Sequence, residues 1–277
     1  MSQEPGPHQT GPWQTGAYPT GLVTDRFRSF DGTELCYDRE GTGPPVVLLH
    51  GFTSSVDGNW RQPGIWEALL GSGHQVLGFD ARGHGRSAKP HDPAGYENDA
   101  MVKDVAAFFD QLDLGRADLV GYSMGAGTAI RFAARDRRLH RLVLGGIGGD
   151  PARWTAPETV EARAKMGRRM LAAAEAPDPT AIEDRLTRRI RRVMDARGND
   201  LQAMAAIQRA RRSLGAGLDP GAVTVPTLVV CGDKDTSPHE LADALPNARS
   251  LVLEGDHEGV VINPELAKAI TGFLFDR

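Results

Sequence analysis

Cysteine is scarce in this 277-residue chain: there are two, Cys36 and Cys231, and neither has zinc or redox spacing to a partner. A disulfide framework is thereby excluded, and because each thiol falls in an apolar run it reads as a buried free cysteine. Long hydrophobic runs are missing too, none approaching the roughly 20 residues of a membrane span. The opening MSQEPGPHQTGPWQTGAYPTG has neither the basic nor the apolar region of a secretory leader, so a cytoplasmic protein is expected. Charge of one sign is not in surplus: 32 Lys and Arg against 36 Asp and Glu leave −4, without the concentrated basic excess of a nucleic-acid binder. The partner expected is a small molecule, with no nucleic acid and no membrane span.

What is present is ordinary globular material, 40% hydrophobic and 25% charged. Residues 1–20 are the exception, dominated by Pro, Gly, Gln and Thr, and read as a flexible N-terminal tail. A hairpin is expected next, with strand-like runs at 22–30 and 34–39 around the turn signal Asp31-Gly32. From residue 45 short apolar runs (PVVLLH, QVLGFD, ADLVGYS, RLVLGGI, PTLVVCG, RSLVLEG) alternate with helical patterns at about 62–71, 98–113, 124–136, 238–244 and 264–275. That rhythm predicts an α/β fold, a mostly parallel doubly wound sheet with helices on both faces. Between Gly148 and Leu218 the rhythm stops. Three amphipathic helical stretches take its place, the clearest carrying Ile182, Leu186, Ile190 and Val193 on one stripe. The expected organisation is a core of 21–149 and 218–277 interrupted by a helical cap over 150–217. Residues 151–217 carry 14 Lys and Arg against 8 Asp and Glu, or +6, which leaves −10 on the rest.

Gly121-Tyr122-Ser123-Met124-Gly125 fits G-x-S-x-G between an apolar strand and a helix. Glycines are needed there because side chains would collide with neighbouring backbone at so sharp a bend, and the bend leaves the serine hydroxyl projecting. The helix start beside it supplies positive potential for developing negative charge. A serine hydroxyl needs a general base, and histidine has the suitable ordinary pKa.

With these motifs the chain resembles the α/β-hydrolase superfamily, a serine esterase-like member with a helical cap. By that resemblance His50-Gly51-Phe52 is the oxyanion-hole loop, the backbone N–H groups of Phe52 and Met124 are its donors, and the segment Asp80–Ser87 is a structural turn. His257, after the last strand, takes the base position; Asp235, in Gly232-Asp-Lys-Asp235, takes the acid position, with Asp150 the alternative site. The implied activity is cleavage of an ester or related acyl bond by a catalytic triad of Ser123, Asp235 and His257, with no cofactor and no metal. Carbon–carbon bond hydrolysis, thioester or lactone cleavage and perhydrolysis use the same triad, and a cyclase or ligand-binding member would keep the fold without hydrolysis. Trp60 and Trp154 are candidate walls of the substrate pocket, with core packing the alternative for both, as it is for Met166, Met170, Met194 and Met204 in the cap.

Overall fold

The Asp31-Gly32 turn joins two antiparallel strands, β1 (Val23–Arg28) and β2 (Glu34–Glu40), with Asp31 accepting the Thr33 N–H at 3.0 Å. The computed structural model describes residues 21–210 and 217–275, so the tail expected over 1–20 lies outside the described residues. After the hairpin come β3 (Pro45–Leu49), a π-helical turn at Asp57–Arg61, α1 (Ile65–Gly71), β4 (Gln75–Phe79), α2 (Ala100–Gln111), β5 (Ala117–Tyr122), α3 (Met124–Ala133) and β6 (Leu139–Gly145). Three helices follow without a strand: α4 (Pro157–Glu175), α5 (Arg185–Ala196) and α6 (Leu201–Ala210). The chain then returns through β7 (Thr227–Gly232), α7 (His239–Ala244), β8 (Ala248–Leu253) and α8 (Pro264–Phe275). The strands form one sheet in the order β1-β2-β4-β3-β5-β6-β7-β8, antiparallel on the hairpin side and parallel from β4 to β8.

Successive strand residues point to opposite faces, and both faces are covered. Val47, Leu49, Leu119, Leu142 and Val229 join Phe108, Phe109, Ile130 and Leu241 under α2, α3 and α7. Val46, Leu48, Val120, Val143 and Val230 join Trp66, Leu69, Leu266 and Ile270 under α1 and α8. Double coverage explains why the central strands read as unbroken apolar runs. Both cysteines are buried free thiols, and burial pushes the Cys231 thiol up to about 12. Among the described residues no helix is long and apolar enough to cross a membrane.

Because β3 lies between β4 and β5, the connections leaving β3 and β5 diverge to opposite faces and open a crevice at their carboxyl ends. One side of the crevice is braced by the Asp80–Ser87 turn. Asp80 accepts the Val56 N–H at 2.8 Å and the Arg86 N–H at 2.9 Å, and Arg86 grips Asp38 with two 3.0 Å bonds. Arg82, fully buried, binds Asp104 through Nε at 2.7 Å and Asp31 at 2.9 Å. Removing one partner of such a buried pair typically costs about 3–5 kcal/mol, which makes this segment a structural clamp.

The helices between β6 and β7 pack on each other and on Tyr96 through Ala173, Ala174, Met194, Met204 and Ala206. The inward stripe of α5 differs from the one expected. Thr187, Ile190, Arg191 and Met194 face inward, while Leu186 is exposed and Ile182 precedes the helix. The reason is Arg191: its guanidinium closes the end of α4 by donating to the carbonyls of Ala173 and Ala176 and binds Asp195 at 2.8 Å, turning α5 to bring it inside.

Candidate active site

Ser123 sits between β5 and α3 at φ 52°, ψ −108°, a conformation that L-residues rarely adopt. Its flanks explain how the bend is tolerated. A Cβ on Gly125 would stand 2.0 Å from the Leu49 carbonyl oxygen, and one on Gly121 would stand 2.5 Å from the Gly125 carbonyl oxygen. Only glycine fits at either place. The strained serine is held by its own N–H donating to Gly145 at 2.8 Å and its carbonyl accepting from Gly127 at 2.9 Å.

The loop after β3 lies against this bend, since a Cβ built on Gly51 would be 3.5 Å from Ser123 Cβ. Asn59 Oδ1 accepts the Gly51 N–H at 2.9 Å. His50 Nδ1 donates to the Gly51 carbonyl at 2.9 Å while its Nε2 accepts the Ala81 N–H at 2.9 Å, so a buried neutral imidazole ties the loop to the Asp80 turn. Burial holds His50 below the ordinary imidazole range and drives His84, packed edge-on against His50 and Phe52, down to about 3. The N–H groups of Phe52 and Met124 have no acceptor among the described residues, the latter because it opens a helix.

Asp235 follows β7 and His257 follows β8, and the sheet brings both to Ser123. His257 Nε2 is 2.9 Å from Ser123 Oγ, and its Nδ1 is 2.7 Å from Asp235 Oδ2. A carboxylate at Nδ1 makes that nitrogen the donor and leaves Nε2 as an acceptor for the serine hydroxyl. The Asp235 bond raises the His257 pKa above its ordinary value against the opposing effect of burial. Burial, the largest single influence, pushes the Asp235 carboxyl up, but the bond and charge of His257 together with the Thr236 N–H outweigh it and hold the carboxyl below the usual range. The His257 side chain is 45% exposed and Asp235 13%, so the imidazole edge stays open while its carboxylate partner is shielded. Asp150 accepts the Ala152 N–H at 2.9 Å, and the carboxylate bound to His257 is that of Asp235.

The description "alpha/beta hydrolase fold" fits a family model matched by residues 44–177. Over the greater part of its length, 258 residues, the chain is 31% identical to a 2-(acetamidomethylene)succinate hydrolase of Mesorhizobium japonicum, covering 85% of this chain and 89% of that protein. The chain belongs to the α/β-hydrolase family. This α/β hydrolase is also 34% identical over 113 residues to a putative non-heme chloroperoxidase of Synechocystis sp., a match spanning 39% of that protein's length. A solved thermophilic esterase from Thermogutta terrifontis superposes with a TM-score of 0.68 at 28% identity, covering 91% of this chain and 98% of that one.

For the two tryptophans of this α/β hydrolase, candidates for the pocket wall or for the core, burial favours the core. Trp60 is fully buried beside Val56, Ile65 and Trp66, on the sheet face covered by α1 and α8. Trp154 is 2% exposed and donates its indole N–H to the Gly148 carbonyl at 3.0 Å. Both are packing residues. Met194 and Met204 are likewise fully buried.

Two contributors to the site are specified by no motif, Tyr122 standing at a variable position of G-x-S-x-G. Tyr122, just before the serine, donates its hydroxyl to the His257 carbonyl at 2.6 Å, and its ring centroid lies 5.5 Å from the imidazole. Arg197, at the end of α5, donates to Thr53 Oγ1 at 3.2 Å. A tyrosine inside an apolar strand and an arginine among many give no sequence signal; both depend on distant segments meeting.

Proposed function

We propose that this chain is a serine hydrolase that cleaves an ester, or a closely related acyl bond, of a small molecule through an acyl-enzyme intermediate. The observation that carries the reading is the continuous relay from Asp235 through Nδ1 and Nε2 of His257 to Ser123 Oγ, with separations of 2.7 and 2.9 Å. In this mechanism Oγ attacks the carbonyl carbon as its proton passes to Nε2, and Asp235 stabilises the imidazolium that forms. The unpaired N–H groups of Phe52 and Met124 receive the oxyanion, where one donor is typically worth 10²–10³ in turnover. Collapse of the tetrahedral species expels the leaving group, which takes the proton from Nε2. Water then enters, gives a proton to the same nitrogen and attacks the acyl carbon, releasing the acid and restoring the serine.

Helices α4 to α6 act in this reading as a cap over the crevice. Its support is that Phe52 packs against their apolar cluster and Arg197 reaches the loop after β3. The test is direct. Ser123→Ala is expected to lower hydrolysis of 4-nitrophenyl butyrate by on the order of 10⁶, with the circular dichroism spectrum unchanged. A fluorophosphonate should label the wild-type chain once, at Ser123. Label mapped to another residue, or full activity in the variant, overturns the reading.

A further inference from the structure

Five non-glycine residues among those described have positive φ. Asn98, Asp99 and Asp113 are of the types that tolerate this region, and Ser123 is the bend already described. That leaves Thr53, at φ 65°. A β-branched residue there is a steric outlier, held only where its surroundings fix it, and such outliers cluster at ligand sites. Thr53 directly follows Phe52, two residues from Gly51 at the Ser123 bend; it is buried, and its hydroxyl has one charged contact. That contact is the Arg197 guanidinium.

Arg197, which ends α5, differs from Arg188, Arg189 and Arg191 within it. Arg188 is bound to the carbonyl of Ile182, and Arg191 to Asp195 and two carbonyls. Arg189 acts on Asp256, whose carboxyl is held low chiefly by the Gly259 N–H. Arg197 touches a neutral hydroxyl and is solvent-exposed, with no carboxylate among the described residues paired to it. A cation is favoured at a helix C-terminus in general, but that preference does not direct the guanidinium onto a strained threonine beside the reacting serine. The residues flanking the imidazole carry the reverse charge, with Asp256 and Glu258 exposed on either side of His257.

From this polarity we infer that Arg197 and Thr53 form a carboxylate-binding subsite, and that the substrate is an ester bearing a second, ionised carboxyl group turned toward α5 and away from the His257 loop. The inference rests on the hydrolase reading for its reaction. A guanidinium presents two parallel N–H donors to a carboxylate, and the Thr53 hydroxyl supplies another donor once Arg197 turns to the ligand.

Two matched pairs test it: 4-nitrophenyl hydrogen succinate against 4-nitrophenyl butyrate, which carries the charge in the acyl half, and 4-acetoxybenzoate against 4-acetoxybenzamide, which carries it in the leaving group. In at least one pair the wild type should prefer the charged member. Arg197→Gln should lower kcat/KM for that member about 10- to 50-fold, mainly through KM, with a clearly smaller loss on the neutral member. Arg197→Lys should retain part of the preference. Equal losses on charged and neutral members, or no loss on either, overturn the subsite. If the wild type turns over none of the four esters, the hydrolase reading falls separately, and the subsite is then judged by calorimetry with monomethyl glutarate. Binding lost in Arg197→Gln sustains it, and binding absent from the wild type or unchanged in the variant ends it.

Discussion

The sheet and the helical segment after β6 bury their interiors with different materials. The sheet is closed by Val, Leu, Phe and Trp in continuous contact on two faces, and the strained bend at Ser123 is locked from below by backbone that a single methyl group would strike. Helices α4 to α6 close instead on Ala, Met and the inturned Arg191, whose bonds run to carbonyl ends rather than into a ladder. The proposed reaction, which needs atoms held to fractions of an ångström, would sit on the first, and the side chains proposed to choose among substrates would sit on the second. Alanine-lined helices leave room to shift, and unbranched methionines adapt to what they meet.

If chemistry belongs to the sheet edge alone, the largest effect should come from a change there that leaves the helices untouched. Asp235→Asn is expected to lower kcat by about 10⁴ with little change in melting temperature, because an amide presents the wrong group to Nδ1 and turns the imidazole. It also moves the pH profile. Asp235 favours the protonated imidazole, so in the wild type the base is free only above a raised pKa, and kcat/KM should climb with pH through a midpoint above 6.5. Residual activity of the variant should show that midpoint displaced downward. By the same linkage the pair contributes stability that is fully present below the unfolded histidine pKa and is lost as pH rises through the raised folded value. An unmoved acid limb in Asp235→Asn would mean that another group sets the profile.

The second prediction strikes the other region. Met204 is fully buried among Ala173, Ala174, Ala205 and Tyr96, and Met204→Ala should destabilise the chain by about 2–5 kcal/mol in urea unfolding. If the helices fold as a layer on the sheet, the rate of fluorophosphonate labelling at Ser123 should stay within about twofold of wild type well below the unfolding midpoint. A parallel collapse of labelling would show that the two regions cannot be separated.

Those regions were unequally legible in the sequence. Apolar runs bounded by glycines located β3 to β8 within a residue or two, because strands covered on both faces leave little freedom in what they carry. The G-x-S-x-G bend was legible for the same reason, since Gly121 and Gly125 are dictated by contacts under 3 Å. α1 begins at Ile65, later than the expected 62, because a π-helical turn occupies Asp57–Arg61 and the chain breaks at Pro63-Gly64. Between β6 and β7 a hydrophobic stripe was a poor guide. There an arginine joined Thr187 and Met194 on the buried face of α5, and Trp154, like Trp60 in the loop after β3, could not be assigned to pocket or core from sequence and is buried. Nothing local marked Thr53, whose backbone angle follows from the packing of the loop after β3.

The smallest effect tests whether the sheet also holds the base. Tyr122 belongs to β5, yet its hydroxyl reaches the His257 carbonyl in the loop after β8, spanning the edge from nucleophile to base. Burial keeps the phenol protonated across the working pH range by pushing its pKa up, so it remains a donor throughout. Tyr122→Phe preserves the buried ring and removes that one bond, a loss worth about 1 kcal/mol. The expected result is a fall in kcat of five- to tenfold at unchanged KM, with fluorophosphonate labelling slowed by the same factor because both depend on the position of Nε2. A variant that labels at the wild-type rate would show that Asp235 alone fixes the imidazole, and that the loop after β8 takes its position from its own turns rather than from the strand that carries the serine.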